Sequence, residues 1–284
     1  MTHRVAIIGA GGKMGVRAAE KLSTMRIYDL SLCESDSQKA QALQNAGFQL
    51  ASLDAALPQA DFVVLAVPDA LIGRIARQVT PNMKPSGTLI MLDAAAAYVN
   101  DLPEPRSLTF MLTHPCHPPF FTEQATPEAR QDYFGGIAVQ DILVSLVHGS
   151  ESNFQQGVEL CKAMFGPVKM AHRVTPDQAA LLEPAMSEII VASAACLMKA
   201  SLDVALEKGV PEAAAKAFMA GHARIAMAIA FGTEKSPFSD AAKIAISWGT
   251  REVIRPDWRK VFEPEVLREA IYAMLETDAT VKPS

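Results

Sequence analysis

Residues 5–15 read Val-Ala-Ile-Ile-Gly-Ala-Gly-Gly-Lys-Met-Gly, a short apolar run that enters a glycine-rich turn and leaves it as a helix. Few folds use such a join. Glycine takes away the side chains that would block the turn, so backbone N–H groups and the positive end of the helix dipole lie open to a diphosphate. The spacing departs from plain G-x-G-x-x-G: with Gly9 and Gly11 in place the third position falls on Met14, and the last glycine comes at Gly15. A reading of G-x-x-G-x-x-G through Gly9, Gly12 and Gly15 fits equally well, so Gly9, Gly11, Gly12, Lys13, Met14 and Gly15 are the candidate positions of the turn. The alternative, an ordinary strand-to-helix turn, is weakened by the agreement of N-terminal position, preceding strand and following helix.

Apolar runs and helical patterns alternate through the first half. Strands are expected at 5–8, 30–34, 61–67 and 88–93, with helices at 13–22, 37–45 and 71–78 between them. That alternation predicts an α/β fold, a Rossmann-type doubly wound and mostly parallel sheet. Further strands are expected at 108–113, 137–146 and 168–172, with a helix at 151–165 ended by Gly166-Pro167. Thr175-Pro176-Asp177-Gln178 then opens a long helix with a capping box. It runs to Gly209 with an interruption at Pro184 and is followed by helices at 211–231, 239–254 and 264–275. The chain therefore reads as a dinucleotide-binding domain over 1–172 and an all-α substrate and dimerisation domain over 173–284.

The span 189–198 is apolar almost all round, between Glu188 and Lys199. At ten residues it is too short to cross a bilayer, so no membrane is expected, and it reads as a helix buried against a partner subunit in a homodimer. Twenty-six basic against 31 acidic residues leave a net charge of −5 without a long basic run, which disfavours nucleic acid. The four cysteines stand far apart with no C-x-x-C pair, and the first strand leaves no room for a signal peptide; a reducing cytoplasm fits both.

In a dinucleotide fold an acid at the end of the second strand accepts hydrogen bonds from the adenosine ribose. Glu34 occupies that place, and with no arginine following it predicts NAD over NADP, with Lys39 the one nearby cation. Val67, Pro68 and Asp69, after the next strand, are expected to touch the dinucleotide. The strand at 108–113 runs into His114-Pro-Cys-His-Pro-Pro119, two imidazoles on a proline-stiffened loop at the carboxyl edge of a sheet. His114 and His117 are candidates for a general base or a neutral metal ligand. Cys116 reads as a small buried packer. Glu183, just before Pro184 in an apolar helical stretch, faces either solvent or a dry site with a partner cation.

The glycine turn also resembles that of dihydrodipicolinate reductases, but their His-His-x-x-Lys-x-Asp segment has no counterpart. The plan resembles the β-hydroxyacid and phosphogluconate dehydrogenases, yet Glu183-Pro-Ala-Met-Ser187 stands where their Lys-x-x-x-Asn pair belongs. Over essentially the whole chain the sequence is similar to the D-apionate oxidoisomerase family, on the glycine turn, Leu65-Ala-Val-Pro-Asp69, Thr113-His-Pro-Cys-His-Pro118 and Leu182-Glu-Pro-Ala-Met-Ser187. The resemblance implies NAD-linked oxidation of a branched sugar acid, D-apionate to 3-oxo-isoapionate, coupled to a ketol-type carbon shift. It also implies a Lewis acid, for which His114 and Glu183 are the expected ligands, with zinc favoured over magnesium or manganese. The competing expectations are a plain hydroxyacid dehydrogenase and a catalytically silent NAD sensor.

Overall fold

The computed structural model describes residues 2–276. Seven strands form one sheet: β1 (His3–Ile8), β2 (Tyr28–Cys33), β3 (Phe62–Leu65), β4 (Thr88–Met91), β5 (Thr109–Pro115), β6 (Gln140–His148) and β7 (Val168–Arg173). Their order is β2-β1-β3-β4-β5-β6-β7. The first five are parallel, β6 runs antiparallel to β5, and β7 is parallel to β6. All seven expected strands are present, and the sheet is mostly parallel as the alternation implied. Every residue of β3 and β4 is buried, the signature of strands covered on both faces.

The helices of this part are α1 (Lys13–Ser23), α2 (Ser37–Asn45), α3 (Leu53–Ala56), α4 (Asp69–Val79), α5 (Ala95–Tyr98), α6 (Pro127–Arg130) and α7 (Glu151–Phe165). α1 packs on α7, and Leu22, Phe154, Leu160 and Phe165 close a core with Ile7 and Ile142 of the sheet. Chain direction across the sheet reverses at β1, with β2 on one side and β3 on the other, so the carboxyl ends of β1 and β3 flank a topological switch point.

The chain divides into two compact units, one of Met1–Glu183 with Arg268–Ser284, the other of Pro184–Leu267. The long helix is built from α8 (Pro176–Ala180), a π-helical stretch Leu181–Ala192, and α9 (Ser193–Glu207). Proline inside a helix removes one N–H and crowds the preceding turn; the expected interruption at Pro184 takes the form of this widened coil. α10 (Glu212–Ala230), α11 (Asp240–Val253) and α12 (Pro264–Glu276) follow.

In the single chain no residue of α9 or α11 is buried, and Leu197, Val204, Phe218, Ile244 and Trp248 are exposed. The central helix is thus not buried by its own chain. The length argument also needs correcting. Pro176–Glu207 forms one helix of 32 residues with a mean hydropathy of 1.8 in its most apolar window, and by length and composition alone it meets the requirement for crossing a membrane.

Candidate active site at the carboxyl edge of the sheet

The turn after β1 is shaped by two glycines. Gly9 has φ +75°, and a Cβ on it would lie 2.5 Å from the Ala66 carbonyl oxygen. Gly15 lets α1 seat against the turn, because a Cβ there would meet the Gly9 carbonyl oxygen and sit 2.7 Å from Ala10 Cα. Gly12 has more room, with 3.3 Å to the nearest atom, so the effective spacing is Gly9, Gly11 and Gly15. No side chain caps α1 and no acid stands in its first turn, which leaves its N-terminal pole suited to an anion.

The Glu34 carboxylate is drawn to this turn, accepting from Gly11 N at 2.8 Å through Oε2 and from Ser35 N and Asp36 N at 2.9 Å through Oε1. The Lys39 stem and the Val67 side chain close in on Gly11 and Gly9 respectively. Pro68 caps α4 and Asp69 is its first residue. Met14 packs against the core, while Lys13 Nζ lies 3.6 Å above the centroid of the Phe134 ring. Glu34 and Val67 are thus brought against the turn, Pro68 and Asp69 follow Val67 at the head of α4, and Met14 serves packing.

On the same edge, beyond β4 and at the end of β5, Asp93, His114 and Glu183 converge, their ligand atoms all within 4.8 Å of one another. Asp93 is 3% exposed and Glu183 7%. His114 Nδ1 stands 3.0 Å from the Leu92 carbonyl oxygen. A carbonyl only accepts, so Nδ1 carries the proton and Nε2 keeps its lone pair for a cation. Burial pushes the His114 pKa below the ordinary imidazole value, against the opposing pull of the Leu92 hydrogen bond and the Asp93 charge, so the ring stays neutral near pH 7. Asp93 Oδ1 accepts from Ala95 N at 2.6 Å, which fixes its carboxyl at the start of α5. Two buried carboxyl groups and one neutral imidazole make a mixed oxygen and nitrogen donor set that fits a divalent cation.

His117 stands apart from that group, its ring centroid 6.3 Å from that of His114. Its Nδ1 is 3.0 Å from the Phe134 carbonyl oxygen, so its Nε2 is likewise the free acceptor. Cys116 is exposed, contrary to the expectation of a packed side chain; it stands one residue past β5, its N–H still donating to the Asp141 carbonyl oxygen of β6 at 2.9 Å. Burial of the sulfur atom and the nearby Asp141 still push its thiol up to about 11, which leaves little thiolate. Asp93 was not singled out from sequence. It stands two residues past a buried apolar strand, the same signal that marks His114, but only the fold brings the two together.

A glycine cradle at the switch point and a buried donor set on the same sheet edge define a dinucleotide-binding oxidoreductase of the Rossmann plan. Residues 1–164 match the family described as acetohydroxy acid isomeroreductase, NADPH-binding domain, and residues 122–275 that described as phosphogluconate dehydrogenase (decarboxylating) C-term. Proteins named D-apionate oxidoisomerase from Cupriavidus necator and Rhizobium rhizogenes are each 40% identical, the matches covering 95% and 94% of this chain and 99% and 98% of theirs. The chain belongs to the D-apionate oxidoisomerase family. A solved Cupriavidus necator structure, described as a semialdehyde dehydrogenase NAD-binding protein in complex with calcium and NAD, superposes with a TM-score of 0.93 at 40% identity over 96% of this chain and all of that one. An archaeal NADH-preferring ketol-acid reductoisomerase shares the fold, with a TM-score of 0.70 at 16% identity over 95% of this chain and 83% of its own.

Proposed function

We propose that this chain is an NAD-dependent oxidoisomerase acting on D-apionate, a branched sugar acid. The observation that carries the reading is the convergence of Asp93, His114 and Glu183 on the sheet edge that also bears the glycine cradle. The names of the curated relatives support the substrate, and the solved relative described as holding NAD and calcium supports the dinucleotide and a divalent cation.

Gly9, Gly11, Gly12 and Gly15 with the α1 pole bind the pyrophosphate, and Glu34 accepts from the ribose hydroxyls while repelling a 2′-phosphate. Val67, Pro68 and Asp69 line the nicotinamide side. Asp93, His114 and Glu183 would hold the cation, zinc by its liking for mixed nitrogen and oxygen ligands, with magnesium or manganese the alternatives. When bound, NAD supplies the hydride acceptor and the cation supplies Lewis acidity toward the oxygens of a hydroxy-ketone. His117 Nε2 takes the proton from the secondary alcohol as its carbon gives up hydride. The ketone so formed adjoins a tertiary alcohol. That alcohol loses its proton and becomes the new ketone while its hydroxymethyl substituent migrates, with the bonding pair, to the old carbonyl carbon, whose oxygen is protonated. The carbon skeleton changes, and no carbon is lost.

The exposed apolar side chains of α9, α10 and α11 are covered by a second copy of the chain in a homodimer. Lipid is the poorer cover. Glu183, Glu188, Lys199 and Asp203 lie inside Pro176–Glu207, and charges at bilayer depth are costly. With that cover we read the chain as a soluble cytoplasmic enzyme.

His114→Ala and Glu183→Ala variants test the reading. Turnover and bound metal should fall together while NADH affinity stays near that of the parent chain; unchanged turnover and metal content in both would contradict it.

A further inference from the structure

Lys13, Arg17 and Lys21 of α1 are spaced four residues apart and so lie on one face of the helix. All three grip the same short segment, 132–138. Lys13 Nζ sits 3.6 Å from the Phe134 ring centroid, Arg17 Nη1 donates to the Phe134 carbonyl oxygen at 3.1 Å, and Lys21 Nζ donates to the Gly136 carbonyl oxygen at 2.6 Å. The segment is itself braced, for the Asp132 carboxylate accepts from Gly135 N, Ile137 N and Ala138 N at 2.8, 2.8 and 3.0 Å.

Phe134 reaches the other way to His117. Its carbonyl oxygen accepts from His117 Nδ1 at 3.0 Å, and the two ring centroids are 5.4 Å apart. His117 has φ +60°, a left-handed backbone that histidine adopts more readily than most side-chain-bearing residues. The imidazole itself is held by its hydrogen bond and ring contact with Phe134.

We propose that Phe134 is a positioning residue that couples the dinucleotide-binding helix to His117. Its ring face steadies the Lys13 ammonium beside the glycine turn, and its carbonyl and tilted ring set the direction of the His117 imidazole. A shift of α1 on dinucleotide binding is passed through the cationic stripe to the 132–138 segment and from there to the imidazole. The inference rests on the proposed function, in which the turn holds NAD and His117 moves a proton.

The test uses the full chain, NADH titrated by fluorescence, and steady-state kinetics with NAD and D-apionate. Phe134→Leu keeps the backbone carbonyl and removes the ring face. It should weaken NADH about two- to fivefold through loss of the cation–π contact. It should also lower kcat about tenfold, since small misplacements of a proton-transferring group are costly. Phe134→Tyr restores the ring and should return both quantities to within about twofold of the parent. Lys13→Met, at an exposed position that leaves the core untouched, should reproduce the NADH loss and lower kcat with it, and adding Phe134→Leu should weaken NADH no further. Parent-like constants in Phe134→Leu, a Phe134→Tyr variant as impaired as Phe134→Leu, or a Lys13→Met variant with weakened NADH and intact kcat would each overturn the coupling. Should Phe134→Leu fail to fold, the Lys13→Met comparison decides alone. A parent chain that binds no NADH overturns the functional reading beneath the inference; a parent that binds it beside an unimpaired Phe134→Leu overturns the inference only.

Discussion

Replacing Gly15 with alanine puts one methyl group where the chain has no room for it. The added Cβ would meet the Gly9 carbonyl oxygen and lie 2.7 and 2.8 Å from Ala10 Cα and C, all backbone atoms of the dinucleotide turn. Backbone in a tight turn cannot swing aside as a flexible side chain does, so α1 must move away from β1. Overpacking of this kind costs about 1–3 kcal/mol. In a unit of this size that lowers Tm by about 2–12 °C. The displaced helix also carries its N-terminal N–H groups away from the pyrophosphate, and losing one or two charge-assisted hydrogen bonds weakens NADH roughly 10- to 100-fold. Gly12→Ala is the matched control, its Cβ meeting only the Gly9 and Ala66 oxygens at 3.3 and 3.5 Å, and it should lose less than about fivefold in affinity. Fluorescence titration of NADH and thermal melting read both variants. Parent-like NADH affinity in Gly15→Ala, or equal loss in Gly12→Ala, would refute the reasoning.

Glu34→Ala should cut the NAD-to-NADP ratio of kcat/KM by about 10- to 100-fold, the worth of a charged hydrogen-bond pair to the ribose; an unchanged ratio removes Glu34 from cofactor choice. Cys116→Ser should keep full turnover. With the thiol held up to about 11, carbamidomethylation of Cys116 at neutral pH should be slow despite its exposure, its rate climbing with pH as thiolate forms, which peptide mass spectrometry over a pH series would follow. The Asp132 carboxyl loses solvation in its turn, yet three backbone N–H donors, helped by Arg17, hold its pKa below the usual value. A depressed carboxyl stabilises the fold above its unfolded pKa and ceases to as pH falls through its folded one, so Asp132→Asn should lower Tm at neutral pH and the gap should close in strong acid. A gap that persisted there would assign the loss to packing.

Seven strands and their order of appearance are legible in the sequence because each is a short apolar run between helical or turn signals. His114 and Glu183 stand out in the sequence for different reasons, the first on a proline-stiffened loop at the carboxyl end of a strand, the second as an acid before proline in an apolar helical stretch; the fold brings both beside Asp93. Asp93 does not stand out, since an acid after a strand is common and its meaning depends on which neighbours the sheet order supplies. The grip of α1 on the 132–138 segment joins positions more than a hundred residues apart and leaves no local pattern beyond three cations four residues apart. The π-helical form of the Pro184 region is likewise a compromise made in three dimensions, with one missing N–H accommodated by a wider coil. The apolar run at 189–198 reads as a buried helix, yet no residue of Ser193–Glu207 is buried in the single chain, a difference its periodicity does not contain.

The central claim is that oxidation and a carbon shift occur together. Incubating the purified chain with NAD and D-apionate labelled with 13C at both hydroxymethyl carbons, and following the product by NMR, tests it most directly. With NADH a 3-oxo product should appear, one label on a hydroxymethyl group attached to the carbon that bore the secondary alcohol and the other still on the hydroxymethyl group beside the new ketone. A 2-oxo product with both labels still on the tertiary carbon's hydroxymethyl groups would contradict the account and leave a plain dehydrogenase.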